Sequence, residues 1–233
     1  MADTNKLQEI LGVTFKQSAL LEEALVHSSY INENPENGVK HNERLEFIGD
    51  AVLGFIIGER IFQELPDLTE GQMTRARATL VKGDTLARIA GEIGLGDFLF
   101  MGKGEEGTGG RSKAPNLAGA LEAVIAAIYL DQGIYTAKII VGKIFEKEWQ
   151  RMISEGVEED YKSKLQELIQ SKYQSAPIYK LIGEEGPDHD KTFTVDVMIN
   201  GKWLGMGVGK SKKQAETEAA RAALAALNQG FTK

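Results

Sequence analysis

Acidic side chains set into apolar helical stretches are the first groups in this chain that could do chemistry. In His41-Asn42-Glu43-Arg44-Leu45-Glu46-Phe47-Ile48-Gly49-Asp50-Ala51-Val52-Leu53, the acids Glu43, Glu46 and Asp50 stand at i, i+3 and i+7. On a helix they fall within roughly 60° of one another. Like charges at that spacing repel, and the flanking Leu45, Phe47, Ile48, Val52 and Leu53 are core-like residues that limit screening by water. A further acid, Glu122, interrupts Leu117–Ile128, which is apolar almost all round. A solvated face or an ion pair with Arg44 or Arg75 accounts well for Glu43 and poorly for Glu122. The sharper chemistry is convergence of Glu46, Asp50 and Glu122 on a hard divalent cation such as Mg²⁺. Such an ion takes oxygen ligands and keeps carboxylates ionised.

The elements that must position these acids read as helices. Apolar residues recur at helical spacing over Lys6–Leu11, Gln17–Val26, Asn42–Gln63, Gly71–Glu92, Asn116–Asp131 and Thr136–Glu155, and period-two alternation is scarce. Seven glycines between Gly94 and Pro115 predict a long irregular connection. The last third differs. A helix is expected over Tyr161–Tyr173, then strands over Ile178–Gly183, Thr192–Ile199 and Lys202–Gly209, then an alanine-rich helix over Lys212–Leu227. Tyr179, Phe193 and Trp203 are expected in the core of that sheet. The fold class is therefore an all-α domain (1–153), a linker (154–160), and a small α+β domain of order α-β-β-β-α (161–229).

Charge divides along the same seam. The net of −7 splits into −9 over residues 1–159 and +2 over 160–233, so the acidic total hides a basic module that suits a polyanion. The absence of cysteine excludes disulfides, thiolate nucleophiles and cysteine-bound zinc or iron–sulfur clusters. The three histidines, at 27, 41 and 189, are coupled to no nucleophilic serine, so no Ser-His-Asp triad is supported. Gly102-Lys103-Gly104-Glu105-Glu106-Gly107 fits G-x-G-x-x-G, but Gly109, Gly110 and Pro115 deny it the helix a dinucleotide site requires. No organic cofactor is expected. The apolar stretches Ala51–Ile57 and Leu117–Leu130 fall short of the ~20 residues of a bilayer span, and no basic region followed by an apolar run opens the chain. The expectation is a cytoplasmic protein without a membrane partner.

The segment Asn42–Leu53 resembles the signature motif of bacterial ribonuclease III. In order, His27-Ser28-Ser29-Tyr30, Glu70-Gly71-Gln72-Met73-Thr74-Arg75, and Leu121-Glu122-Ala123 running to Ala127-Ile128-Tyr129-Leu130-Asp131 extend the likeness. The resemblance implies that Glu46, Asp50 and Glu122 bind metal, with Asp50 and Glu122 catalytic, and that Glu43 and Glu70 are acidic positions near the dimer interface and substrate. The family's remaining acidic ligand falls at position 119, where this chain has Gly119.

Beyond residue 160, Asp160–Leu168, then Gly186-Pro187-Asp188-His189, then Gly209-Lys210-Ser211-Lys212-Lys213-Gln214-Ala215-Glu216 resemble a double-stranded-RNA-binding domain. Independently of the likeness, Lys210, Lys212 and Lys213 crowd a helix N-terminus, where the macrodipole disfavours cations unless a phosphate binds there. By resemblance, Gln166, Glu167 and His189 meet successive minor grooves of the duplex.

Together these imply a homodimeric, Mg²⁺-dependent endoribonuclease, with Mn²⁺ able to substitute, that cuts structured precursors such as ribosomal and messenger RNA. Products would carry 5′-phosphate and 3′-hydroxyl ends with a short 3′ overhang. The alternative, raised by Gly119, is a catalytically weakened regulator that binds double-stranded RNA.

Overall fold

The computed structural model describes residues 3–155, 161–187 and 190–228. The chain forms two compact units, Met1–Val157 and Glu158–Lys233, each with its own apolar core.

The first unit is helical: α1 (Thr4–Leu11), α2 (Ser18–Ala24), α3 (Ser28–Glu33), α4 (Glu43–Glu64), α5 (Glu70–Val81), α6 (Gly83–Glu92), α7 (Lys103–Gly107), α8 (Ala114–Ile144) and α9 (Glu146–Glu155). At its centre α4 packs against α8. Leu45, Leu53, Ile56, Ile57 and Ile61 meet a helix whose Leu121, Ala123, Val124, Ile125 and Ile128 are all buried. By length and composition α8 could cross a membrane, yet most of its apolar side chains lie in this core.

Several boundaries differ from the sequence reading. The helix expected over 71–92 is two, broken where Lys82 is extended (φ −67°, ψ 148°). The unbroken apolar period concealed this, because Ala76, Leu80, Leu86 and Ile89 all face one core. The helices expected over 116–131 and 136–155 are redistributed. α8 runs past Asp131 with a kink at Gly133 (φ 81°, ψ 178°), and α9 starts after Phe145. The glycine-rich connection contains α7 and two single 3₁₀ turns, Leu95–Phe98 and Gly110–Ser112. Glu33 fixes it in place: its carboxylate accepts from the N–H groups of Lys103 (2.8 Å) and Gly104 (3.1 Å). That contact joins α3, a helix the sequence reading missed, to α7.

The second unit runs α10 (Tyr161–Tyr173), β1 (Ile178–Glu185), β2 (Thr192–Ile199), β3 (Lys202–Gly209) and α11 (Lys212–Asn228). The sheet is antiparallel in the order β1-β2-β3, with Ile178 opposite Met198 and Phe193 opposite Gly209. Asn200-Gly201, both at positive φ, form the two-residue turn between β2 and β3. Val195, Val197 and Ile199 face the core with Leu165 and Ile169 of α10 and Ala215, Ala219 and Ala223 of α11.

Three glycines of β3 let α11 approach closely. A Cβ on Gly207 would lie 2.1 Å from Ala219 N, one on Gly205 2.8 Å from Ala223 N, and one on Gly209 2.6 Å from Ala215 N. Trp203 departs from its expected core position. It lies on the outer face of the sheet, 57% exposed, and its Nε1–H donates to Asp196 Oδ1 at 2.9 Å. A partner for the indole N–H is found at that face, not among the alanines inside.

Candidate active site and nucleic-acid interface

Where α4 crosses α8, backbone meets backbone. A Cβ on Gly49 would stand 1.9 Å from the Glu122 carbonyl oxygen, so only glycine allows this approach. Glu46 lies three residues before that contact on α4 and Asp50 one residue after it, so both acids are carried to Glu122 on α8. The crossing thus assembles three of the carboxylates singled out in the sequence.

Their electrostatics follow from the crowding. Glu122 is raised from its ordinary 4.5 to about 7, first by burial, then by the charge of Asp50, then by that of Glu46. Burial and then Glu43 raise Glu46, while His27 acts in the opposite direction. Among the described residues the side chains of Glu46, Asp50 and Glu122 make no hydrogen bond or ion pair. The alternative of a buried salt bridge at Glu122 is therefore not realised. The three are nevertheless not drawn into a finished cage: among the described residues no group of three such side chains is already arranged to hold a metal ion. The donor set still suits a hard divalent cation. Clustered carboxylates, Glu46 and Glu122 half-buried and Asp50 exposed, with no Lys or Arg acting on Glu46 or Glu122, are what such an ion neutralises.

The peripheral acids behave differently. Glu43 is exposed and 3.7 Å from His41 Nδ1. Glu70, exposed in the first turn of α5, accepts from Thr74 Oγ1 at 3.1 Å and is not among the charges that perturb Glu46 or Glu122. His27 is structural. Its Nδ1 caps α3 by accepting from Ser29 N, and Ser29 Oγ accepts from Gly102 N. The residue that sequence reasoning missed is Gly49; its one signal was a glycine in the middle of an otherwise apolar helix.

The charge pressure on Glu122 has a measurable sign. Without a cation, the folded chain binds this proton more tightly than the unfolded chain does. Below about pH 4.5 both states are protonated and nothing is lost; as pH rises to about 7 the folded state is progressively penalised. Discounted for solvent screening, the penalty is about 1–2 kcal/mol. Glu122→Gln should therefore raise the urea midpoint in EDTA at pH 8 and leave it nearly unchanged at pH 4.5. An equal gain at both pH values would contradict the assignment.

In the second unit, Ser211 caps α11, its Oγ accepting from Gln214 N at 3.2 Å. Lys210, Lys212 and Lys213 surround this terminus. Lys210 pairs with Asp190 (2.6 Å) and Lys212 with Glu184 (3.2 Å), whereas Lys213 forms no ion pair among the described residues. The two pairs answer part of the helix-dipole conflict within the chain, and both are exposed enough for a phosphate to compete. Gln166 and Glu167 are exposed on α10, opposite the buried Leu165 and Ile169. His189 lies outside the described residues.

A helical nuclease domain followed by an α-β-β-β-α module is the class that this fold and site define. Residues 17–148 match the family model described as ribonuclease-III-like, and residues 161–227 match the double-stranded RNA binding motif. The chain belongs to the ribonuclease III family: it is an endoribonuclease of double-stranded RNA, with a double-stranded-RNA-binding domain at its C-terminal end. It is 46% identical over 232 residues to the protein named Ribonuclease 3 of Dehalococcoides mccartyi, covering 100% of this chain and 98% of that one. It is 47% identical over 222 residues to Ribonuclease 3 of Syntrophobacter fumaroxidans, covering 94% and 92%. Among solved structures, the nuclease domain of ribonuclease III from Campylobacter jejuni is similar at 41% identity and a TM-score of 0.58. That match covers 62% of this chain and 97% of the other, a nuclease domain described as structurally flexible in a region involved in dimer formation.

Proposed function

We propose that this chain is a homodimeric, cytoplasmic, Mg²⁺-dependent endoribonuclease that trims structured precursors of ribosomal and messenger RNA. Mn²⁺ is able to replace Mg²⁺. The observation that carries the reading is Glu122, half-buried between Asp50 and Glu46 without a protein cation. Glu46, Asp50 and Glu122 would hold the ion. A divalent cation there supplies Lewis-acid activation of water and neutralises charge on the scissile phosphate. Without it, burial and the charges of Asp50 and Glu46 hold the Glu122 carboxyl well above its ordinary range, and the three side chains offer no electrophile. In-line attack on phosphorus would leave 5′-phosphate and 3′-hydroxyl ends. Two sites in a dimer, each cutting one strand, would leave a short 3′ overhang. Incubating an end-labelled hairpin with and without Mg²⁺ tests this; cleavage that persists in EDTA, or no cleavage with Mg²⁺, counts against it.

The dimer has a surface to form on. Phe47, Phe55 and Phe62 line one side of α4, and Tyr135 and Ile139 follow one turn apart on α8. Phe47 is 76%, Tyr135 79% and Ile139 70% exposed, a density of bare apolar surface that usually marks an interface. The two strips adjoin, since Lys138 Nζ lies 5.6 Å from the Phe55 ring and 5.9 Å from that of Tyr135. A double variant, Phe55→Glu with Ile139→Glu, should run at the monomer mass of 25.5 kDa in light scattering, where the native chain runs at twice that. An unchanged dimer would exclude this face.

Double-stranded RNA would be engaged by Gln166 and Glu167 on α10, by His189, and by the lysines at the start of α11. Lys213→Ala should weaken binding to every duplex alike and lower the salt slope by about one unit. Dissociation constants at several KCl concentrations measure it, and an unchanged slope would remove the phosphate contact. Gly119 favours a second reading, an RNA-binding regulator with weakened cutting. It predicts tight duplex binding with negligible cleavage in the same hairpin assay.

A further inference from the structure

The short extended segment between α2 and α3 is tied down on two sides. Leu25 O accepts from Phe100 N (2.9 Å) and His27 N donates to Phe100 O (3.0 Å). On the other side Asn42 N donates to Val26 O (2.9 Å) and Asn42 Nδ2 to Ala24 O (3.3 Å). Leu25 and Val26 are buried, and Asn42 O accepts from Glu46 N (2.8 Å) in the first turn of α4. The backbone of His27 is therefore fixed beside the turn that carries Glu46. Among the groups whose charges act on Glu46 and Glu122, His27 alone is not an acid, and it acts on Glu105 of α7 as well.

The two ring nitrogens of His27 have different tasks. Nδ1 accepts from Ser29 N (3.2 Å) and lies 2.8 Å from Ser29 Oγ. That oxygen accepts from Gly102 N (3.0 Å), which leaves its own proton for Nδ1. A nitrogen that accepts carries no hydrogen, so the cap of α3 fixes the neutral ring as the Nε2–H tautomer. Among the described residues Nε2 makes no hydrogen bond, and it stays within reach of solvent. Glu105 is already taken by Lys113 Nζ (2.9 Å) and Asn116 Nδ2 (2.8 Å). We propose that His27 is a further substrate-contacting residue, whose Nε2–H donates to a phosphodiester oxygen of the RNA strand lying across Glu46, Asp50 and Glu122. The inference rests on the reading of those carboxylates as the cleavage site given above. A strand arriving there meets acids, the cation they would hold, and one donor aimed from the protein itself.

His27→Asn separates this role from the capping of α3. Asparagine is as good a helix cap as any residue, so the variant keeps an acceptor for Ser29 N and loses only the ring donor. Its thermal melt and its duplex affinity should match those of the native chain, while the single-turnover cleavage rate falls about 10²-fold, the scale on which one aimed donor counts. Nitrogen-15 spectra of the full-length protein at pH 8 read the same contact without reference to cleavage. Only three histidines contribute, and His27→Asn assigns the signal. The ring should show a bare Nδ1 and a protonated Nε2. A synthetic duplex with 5′-phosphate ends and short 3′ overhangs, added in the presence of Mg²⁺, should shift the Nε2 resonance and slow exchange of its proton; Mg²⁺ alone should not reproduce that change.

A native cleavage rate in His27→Asn, a ring protonated on Nδ1, or an Nε2 signal that the duplex leaves unchanged would each overturn the proposal. So would a signal that Mg²⁺ alone changes as fully, since the donor would then serve water around the ion. Glu122→Gln is the control for the reading beneath it. If that variant is inactive while His27→Asn cuts at the native rate, only the role of His27 falls. If Glu122→Gln cuts as the native chain does, the cleavage site itself is wrong and the proposal falls with it.

Discussion

Glu122→Gln should abolish cleavage of a duplex hairpin, lowering the single-turnover rate by at least about 10³-fold, while affinity for the same hairpin stays within about twofold. The substitution keeps the shape of the side chain and removes one negative charge from a half-buried cluster. Because Asp50 and Glu46 press on Glu122, its loss relieves repulsion, and the fold should not weaken. What disappears is the carboxylate at the centre of the set that would hold the cation. Duplex binding belongs to the double-stranded-RNA-binding module, a unit with its own core, where the proposed contacts lie on α10 and at the start of α11. Rate and affinity must therefore separate. Cleavage within tenfold of native would remove Glu122 from the chemistry, and a parallel loss of binding would show that the variant had damaged more than the site.

The second large effect is structural. Gly49→Ala should destabilise the nuclease unit by about 3 kcal/mol, although alanine is the better helix former by about 1 kcal/mol. The added methyl would sit 1.9 Å from the carbonyl oxygen, 2.4 Å from the carbonyl carbon and 3.0 Å from the Cα of Glu122. All three are backbone atoms of a buried helix and cannot swing aside. α4 and α8 must move apart, loosening Ile56, Ile57, Val124 and Ile125 and carrying Glu46 and Asp50 away from Glu122. Gly54, five residues along α4, is the control: a Cβ there meets nothing within 4 Å, and Gly54→Ala should stabilise slightly. Urea unfolding of the two variants checks the contrast. Equal stabilities would mean that the helices tolerate the methyl by sliding.

Much of this was legible because it lies in side-chain type and spacing. Glu122 in an apolar helix, the acids of α4 and the alternation of Val195, Val197 and Ile199 each say what a neighbour must be. Backbone events left weaker marks. The break at Lys82 changes no apolar period, the kink at Gly133 needs only one residue, and α3 is short with no buried residue to betray it. Trp203 misled because aromatic residues usually fill cores, whereas here β3 alternates glycines inward and its bulk outward. Gly119 was read as a missing acid, and nothing in the sequence marks that the flexible end of the Glu46 side chain lies beside it.

The glycines of β3 have a consequence for what this module can measure. With Gly205, Gly207 and Gly209 against the backbone of α11, no compressible layer of side chains separates strand from helix. α11 cannot roll or settle, and its packing on α10 fixes the gap between the two helices. With the proposed contacts Gln166 and Glu167 as one jaw and the lysines as the other, the two helices would form a caliper with a single setting. A caliper reads width, not lettering. Such a caliper would accept a duplex whose grooves repeat at the A-form interval, whatever its bases, and would reject one of another pitch.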